Sequence, residues 1–83
     1  MKVQVKVFPR KGVRDPQGEA VLDKLRRLDW LELPVNQVAV GRVLLLDIDT
    51  KDPNVALATV SRMCKEFLAN EIVEDFEIKL SED

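Results

Sequence analysis

The sequence predicts an α+β domain: two layers, a mainly antiparallel sheet, two helices on one face, in the order β-α-β-β-α-β. Three observations carry this. Val3, Val5 and Val7 alternate with Lys2, Gln4 and Lys6, and Phe76, Ile78 and Leu80 alternate with Asp75, Glu77 and Lys79, the period of a half-buried strand. Asp-Pro stands before a helical pattern at Asp15-Pro16 and again at Asp52-Pro53. Each helical pattern lies between strand-like stretches.

The chain has 83 residues. A chain of this size buries only about 60–65% of the surface its unfolded form exposes, so the core is thin. One cysteine and no histidine exclude an intrachain disulfide and a Cys/His zinc site. Self-association is the expected source of further burial. A lone thiol without disulfides fits a reducing cytoplasm. A formal charge of −2 lacks the basic footprint of non-specific nucleic-acid binding. No apolar run approaches the roughly 20 residues of a membrane span, and the alternating N-terminus has no signal-peptide core.

The first strand runs from Lys2 to Phe8 and is stopped by Pro9, which cannot donate to a ladder. Arg10 to Arg14 is a basic loop pivoting on Gly12, readable as a contact for an acidic partner or as a solvated connection. The first helix has Asp15 as N-cap, an apolar face of Val21, Leu22, Leu25 and Leu28, and Lys24, Arg26 and Arg27 near its end, where cations suit the dipole. Gly18 weakens its first turn, which suggests close approach of another backbone or simple tolerance. Asp29 to Pro34 reads as a linker, with Trp30 packing over the helix end or anchoring a partner.

Val35 to Val40 reads as a short strand broken at Gly41-Arg42. Val43 to Asp49 follows as the most apolar strand. Leu44, Leu46 and Ile48 share one face, and Val43 and Leu45 lie on the other. Apolar residues on both faces imply cover on both sides, most economically a second copy over the open face; the alternative is one very central strand. Asp47, Asp49 and Asp52 are spaced loosely like a calcium loop. The glycine and terminal glutamate are missing, and Asp52 serves better as an N-cap, so no metal site is expected. The second helix places Ala56, Leu57, Val60, Met63, Cys64, Phe67 and Leu68 on one face. Asn70, which tolerates left-handed backbone, closes it.

No catalytic constellation appears. Histidine-paired nucleophiles are impossible, and no phosphate-binding glycine loop is present. The loop RKGVRDPQG does not match the arginine loop of small acylphosphatase-type hydrolases of similar topology.

Three stretches together are specific: Asp15-Pro16-Gln17-Gly18-Glu19-Ala20-Val21; Val40-Gly41-Arg42; and Met63-Cys64-Lys65-Glu66-Phe67-Leu68-Ala69-Asn70 continuing to Ile72-Val73-Glu74-Asp75-Phe76-Glu77-Ile78. The chain resembles the PurS family, the small subunit of phosphoribosylformylglycinamidine synthase. That family carries D-P-Q-G-x-A-V, V-x-x-G-K/R and M-C-x-x-L-L-A-N-P-x-I-E-D-Y/F-x-I in this order. Two positions depart from it. Leu28-Asp29-Trp30 replaces a leucine-glycine-aromatic corner, and Glu71 stands where proline follows Ala-Asn.

The resemblance implies one domain over residues 1–83, without catalytic residues or a bound cofactor, working in the cytoplasm in purine synthesis. Its implied partners are a PurL-type synthetase that uses ATP and magnesium and a PurQ-type glutaminase, which it bridges as a homodimer or tetramer while supporting ammonia transfer. Asp15, Gln17, Gly18, Arg42 and Asn70 are its partner-binding candidates. Asp15 caps the helix, Gln17 points outward, Gly18 permits close approach, Arg42 offers a forked donor and Asn70 presents its amide. Arg10, Lys11 and Arg14 form a second tier, and Cys64 is expected in the core. A small-molecule-sensing regulatory domain of similar architecture is the alternative.

Overall fold

A computed structural model describes residues 1–28 and 35–81. The elements are β1 (Lys2–Pro9), α1 (Pro16–Arg27), β2 (Arg42–Asp47), α2 (Pro53–Met63), a π-helical turn (Cys64–Leu68) and β3 (Glu74–Ser81). The sheet is antiparallel in the order β2-β1-β3. The expectations for Trp30 and the linker from Asp29 to Pro34 fall outside the described residues.

β1 is the central strand, and its alternation explains the core. Val3 pairs with Leu46 and Leu80, Val5 with Leu44 and Ile78, and Val7 with Arg42 and Phe76. Period-two geometry therefore gathers Val3, Val5, Val7, Leu44, Leu46, Phe76, Ile78 and Leu80 on one face. α2 covers that face with Ala56, Val60 and Cys64, which are spaced i, i+4 and fully buried against the valines of β1. Both Asp-Pro starts hold. Asp15 and Asp52 are N-caps, accepting from the Gly18 and Asn54 N–H groups, with proline in the first turn.

The α+β class and the antiparallel sheet match the sequence reading, and four details differ. Residues 35–40 form no strand, so the sheet has three strands rather than four. The expected alternation is there, but no strand among the described residues pairs with it. The expected two-helix layer is one helix deep. α2 packs on β3, whereas α1, among the described residues, makes no contact of that extent with a strand and leaves Val21 and Leu28 exposed. β2 is an edge strand, not a central one. Its outer face leaves Leu45 78% and Val43 54% exposed.

The fourth difference is at the end of the second helix. Ala69 N–H donates to the Cys64 carbonyl five residues back (3.1 Å), a π-type bond that inserts an extra residue into the turn. The Ala56-Val60-Cys64 stripe then faces the sheet, with Leu68 packed partly against the core. Leu57 and Phe67, expected on the buried face, are 44% and 79% exposed. The helix ends on extended Ala69 rather than on Asn70.

The core is thin, so each buried methyl counts. Val60→Ala is expected to lower the unfolding free energy by about 1–3 kcal/mol, read as a lower urea midpoint at unchanged slope.

Candidate docking surface

The candidate residues gather where β1 ends and β2 and β3 begin. Asp15 is the joint. One carboxylate oxygen accepts from Gly18 N–H (3.1 Å) inside its own helix, and the other accepts from Val40 N–H (2.9 Å), 25 residues on. These donors hold the Asp15 carboxyl below its usual range, Val40 contributing most, then Gly18, with Gln17 N–H adding less and desolvation opposing. Gly18 is the one buried residue among those described in α1. A Cβ there would collide with the Val38 carbonyl. The close approach anticipated for Gly18 is thus made by the chain's own backbone. Gly41 is packed in the same way, against the Val7 carbonyl and Phe8. Residues 35–41 form a strap pinned to the N-terminus of α1 at one end and to β1 at the other.

Arg42 ties this joint to the far edge of the sheet. Its two terminal nitrogens donate to the Glu74 carboxylate (2.7 and 3.1 Å), and one also donates to the Leu68 carbonyl (2.7 Å). The forked donor expected of Arg42 is engaged within the chain. The pair lowers the Glu74 pKa, helped by the Asn70 N–H, and raises that of Arg42. Asn70 heads the turn into β3. Its side-chain oxygen accepts from Ile72 N–H (3.1 Å), its carbonyl accepts from Val73 and Glu74 N–H, and its own N–H donates to Glu74 (2.8 Å). Arg10 N–H closes the set by donating to the Val73 carbonyl (2.8 Å).

Asp15, Gly18, Arg42 and Asn70 are therefore brought together as braces. Gln17 is the exception. It is exposed, and its side chain has no hydrogen-bond partner among the described residues. In the basic loop, Gly12 is the pivot at φ +88°. Arg10 pairs with Asp75 and Arg14 with Glu19 (3.2 Å each), while Lys11 is exposed. Glu74 is the functional brace that sequence reasoning missed. Its partner Arg42 lies 32 residues away, and only the strand order brings them together.

Beyond the braces lie apolar side chains in the open: Phe67 and Ile72 (79% and 81% exposed) beside the Asn70 turn, and Leu45 on the outer sheet face. The Cys64 thiol is buried and its pKa is pushed up by desolvation, the opposite of an activated nucleophile. No cluster of three or more metal-ligating side chains occurs among the described residues. Such a surface can dock macromolecules.

The family model described as "PurS: Phosphoribosylformylglycinamidine (FGAM) synthase" matches residues 2–82. The PurS subunit of Bacillus subtilis is 35% identical over 81 residues, covering 98% of this chain and 93% of that one. The structure of B. subtilis PurS superposes with a TM-score of 0.83 at 34% identity, covering 98% of each chain. A chain in the structure of PurLQS from Thermotoga maritima superposes at 0.80 with 32% identity, covering 94% of this chain and 93% of that one.

Two predictions follow from the joint. Gly18→Ala is expected to cost about 1–3 kcal/mol of stability, because the Val38 carbonyl must move; chemical denaturation reads it. Asp15 and Glu74 have folded-state pKa values below their unfolded ones. Their stabilisation is thus complete above the unfolded carboxylate range, about pH 4, and is lost as pH falls through the depressed values. The urea midpoint should decline below about pH 4, and less steeply in Asp15→Asn than in the parent chain.

Proposed function

The chain belongs to the PurS family of phosphoribosylformylglycinamidine synthase subunits, and from that premise we propose that it is the non-catalytic bridging subunit of this glutamine-dependent ligase in purine synthesis. Its partners are a PurL-type synthetase, which uses ATP and magnesium to activate formylglycinamide ribonucleotide, and a PurQ-type glutaminase, which releases ammonia. The small subunit acts in the cytoplasm as a single domain and as a homo-oligomer. It orders the two larger proteins so that ammonia passes between them away from bulk water, where protonation would quench the nucleophile. The product is formylglycinamidine ribonucleotide.

The observation that carries this reading is the brace set: Asp15, Arg42, Glu74 and Asn70 tie down the start of α1, the end of the π-helical turn and the loop after it, on which Gln17, Phe67 and Ile72 are exposed. A rigid surface loses little entropy on docking. Exposed aromatic and aliphatic side chains on such a frame are the usual anchors of an interface. A chain of the PurLQS structure from T. maritima superposes on this one, which supports the same assembly here. No helix among the described residues is long and apolar enough to cross a membrane.

Reconstitution tests it. The isolated protein should hydrolyse neither glutamine nor ATP, yet restore glutamine-dependent synthesis to its two partners. Gln17→Ala and Phe67→Ala should raise the concentration needed for half-maximal restoration, by about tenfold for Phe67 if it is an anchor, with unfolding midpoints unchanged for Gln17→Ala. Equal synthesis with the protein left out would sink the proposal.

A further inference from the structure

The helical segment that begins with α2 is capped at its far end by another element. The Leu68 carbonyl closes the π-helical turn and is one of the acceptors that a helix end leaves without an intrahelical donor. The Ile72 and Val73 N–H groups, which a continuing helix would aim at it, donate to Asn70 instead. The donor is Arg42, the first residue of β2, which reaches a carbonyl 26 residues along the chain (2.7 Å). A cation also suits the negative end of a helix dipole. The same guanidinium forks onto Glu74 (2.7 and 3.1 Å). The Glu74 oxygen that takes the longer of these bonds also accepts from Asn70 N–H (2.8 Å). One ion pair thus clamps both ends of Leu68-Ala69-Asn70.

What the clamp carries is apolar. Phe67 and Ile72 flank it and, at 79% and 81% exposed, are the barest large apolar side chains among the described residues. Arg42 and Glu74 lie near the surface, where an ion pair contributes little to folding stability. A forked, charge-assisted contact contributes orientation.

We infer that Arg42 and Glu74 are positioning residues for docking: the pair holds Phe67 and Ile72 in the geometry that a partner meets, and it sets how tightly the subunit binds rather than how fast the assembled ligase turns over. This deepens the bridging reading and rests on it. The requirement is for arginine as such. A lysine at position 42 keeps the charge, but one compact ammonium cannot serve the Glu74 carboxylate as a fork and the Leu68 carbonyl together. With the clamp open the turn samples further conformations, and apparent affinity falls by the fraction that is competent to dock. Once bound, the turn is held by the partner as well, so turnover of the assembled complex is preserved.

Three measurements on the full chain test this, with Arg42→Lys as the variant and Glu74→Gln as the check from the other side of the pair. In the isolated protein, hydrogen exchange at the Asn70 and Ile72 amides should quicken about tenfold. In reconstitution with synthetase and glutaminase, the concentration for half-maximal synthesis should rise about fivefold, and excess subunit should bring back the parent rate. In a chain already carrying Phe67→Ala and Ile72→Ala, Arg42→Lys should add less than about twofold, because a residue that acts through the anchors has nothing left to position. Unchanged exchange overturns the clamp. A lower maximal rate that excess subunit does not repair, or an undiminished loss in the chain without anchors, overturns the positioning role in favour of direct contact between Arg42 and the partner. If the parent chain restores no synthesis, the bridging function falls instead, and the exchange result alone decides the clamp.

Discussion

Everything in this chain hangs on one row of three valines. Val3, Val5 and Val7 are essentially fully buried, and each stands between residues of β2 and β3 on the covered face. Burying such side chains supplies about 1.5–3 kcal/mol each, and little else in the molecule is as deeply covered. The buried set beyond them is small: Ala56, Val60, Cys64 and Ala69. One helix on a narrow sheet cannot do more. The same economy leaves α1 standing off the sheet with its apolar side chains only partly covered. A core this thin can hold the sheet and α2 together, but it cannot by itself position an arm made of α1 and residues 35–41.

Carboxylates do that work. Asp15 accepts from two N–H groups belonging to different segments, and Glu74 accepts from Arg42 and from the Asn70 backbone. Charge-assisted hydrogen bonds are directional where hydrophobic contact is not, so they fix orientation as well as proximity. Both acids lie near the surface, where solvent screens each pair and limits its contribution to stability. Their value is geometric. Gly18 and Gly41 make the geometry possible, because each lets one backbone touch another where a Cβ would intrude. The D-P-Q-G stretch is thus mainly internal joinery, and Gln17 is the member of it that faces outward.

The elements with local signals were legible. Alternation located β1 and β3, and the two Asp-Pro pairs located the helix starts, because a cap and its proline act within one turn. What depends on distant partners was not. The strand order decides that β2 is an edge and that Arg42 meets Glu74, and no local pattern carries strand order. Leu57 and Phe67 obey helical spacing and yet lie exposed, because the helix meets the sheet along a single i, i+4 stripe and a π-type bond shifts the turn after Cys64. Asp15, Gly18, Arg42 and Asn70, expected to bind partners, lie in the fold as internal braces, and Gln17 faces outward. Their roles were not legible, since a glycine that admits a partner and one that admits its own chain look alike in sequence.

The strap at 35–40 is a different kind of discrepancy. Its patterning is that of a strand, and the structure keeps the pattern while withholding the ladder. A propensity overridden by tertiary packing would show the segment redirected into other hydrogen bonds, as Asn70 is redirected from a helix cap into a turn. Residues 35–39 are not redirected; among the described residues their backbone groups have no protein partner. Local preference and fold disagree in this segment, where consistency across levels is what a foldable sequence otherwise shows. The half-covered helix beside the strap poses a demand for apolar cover.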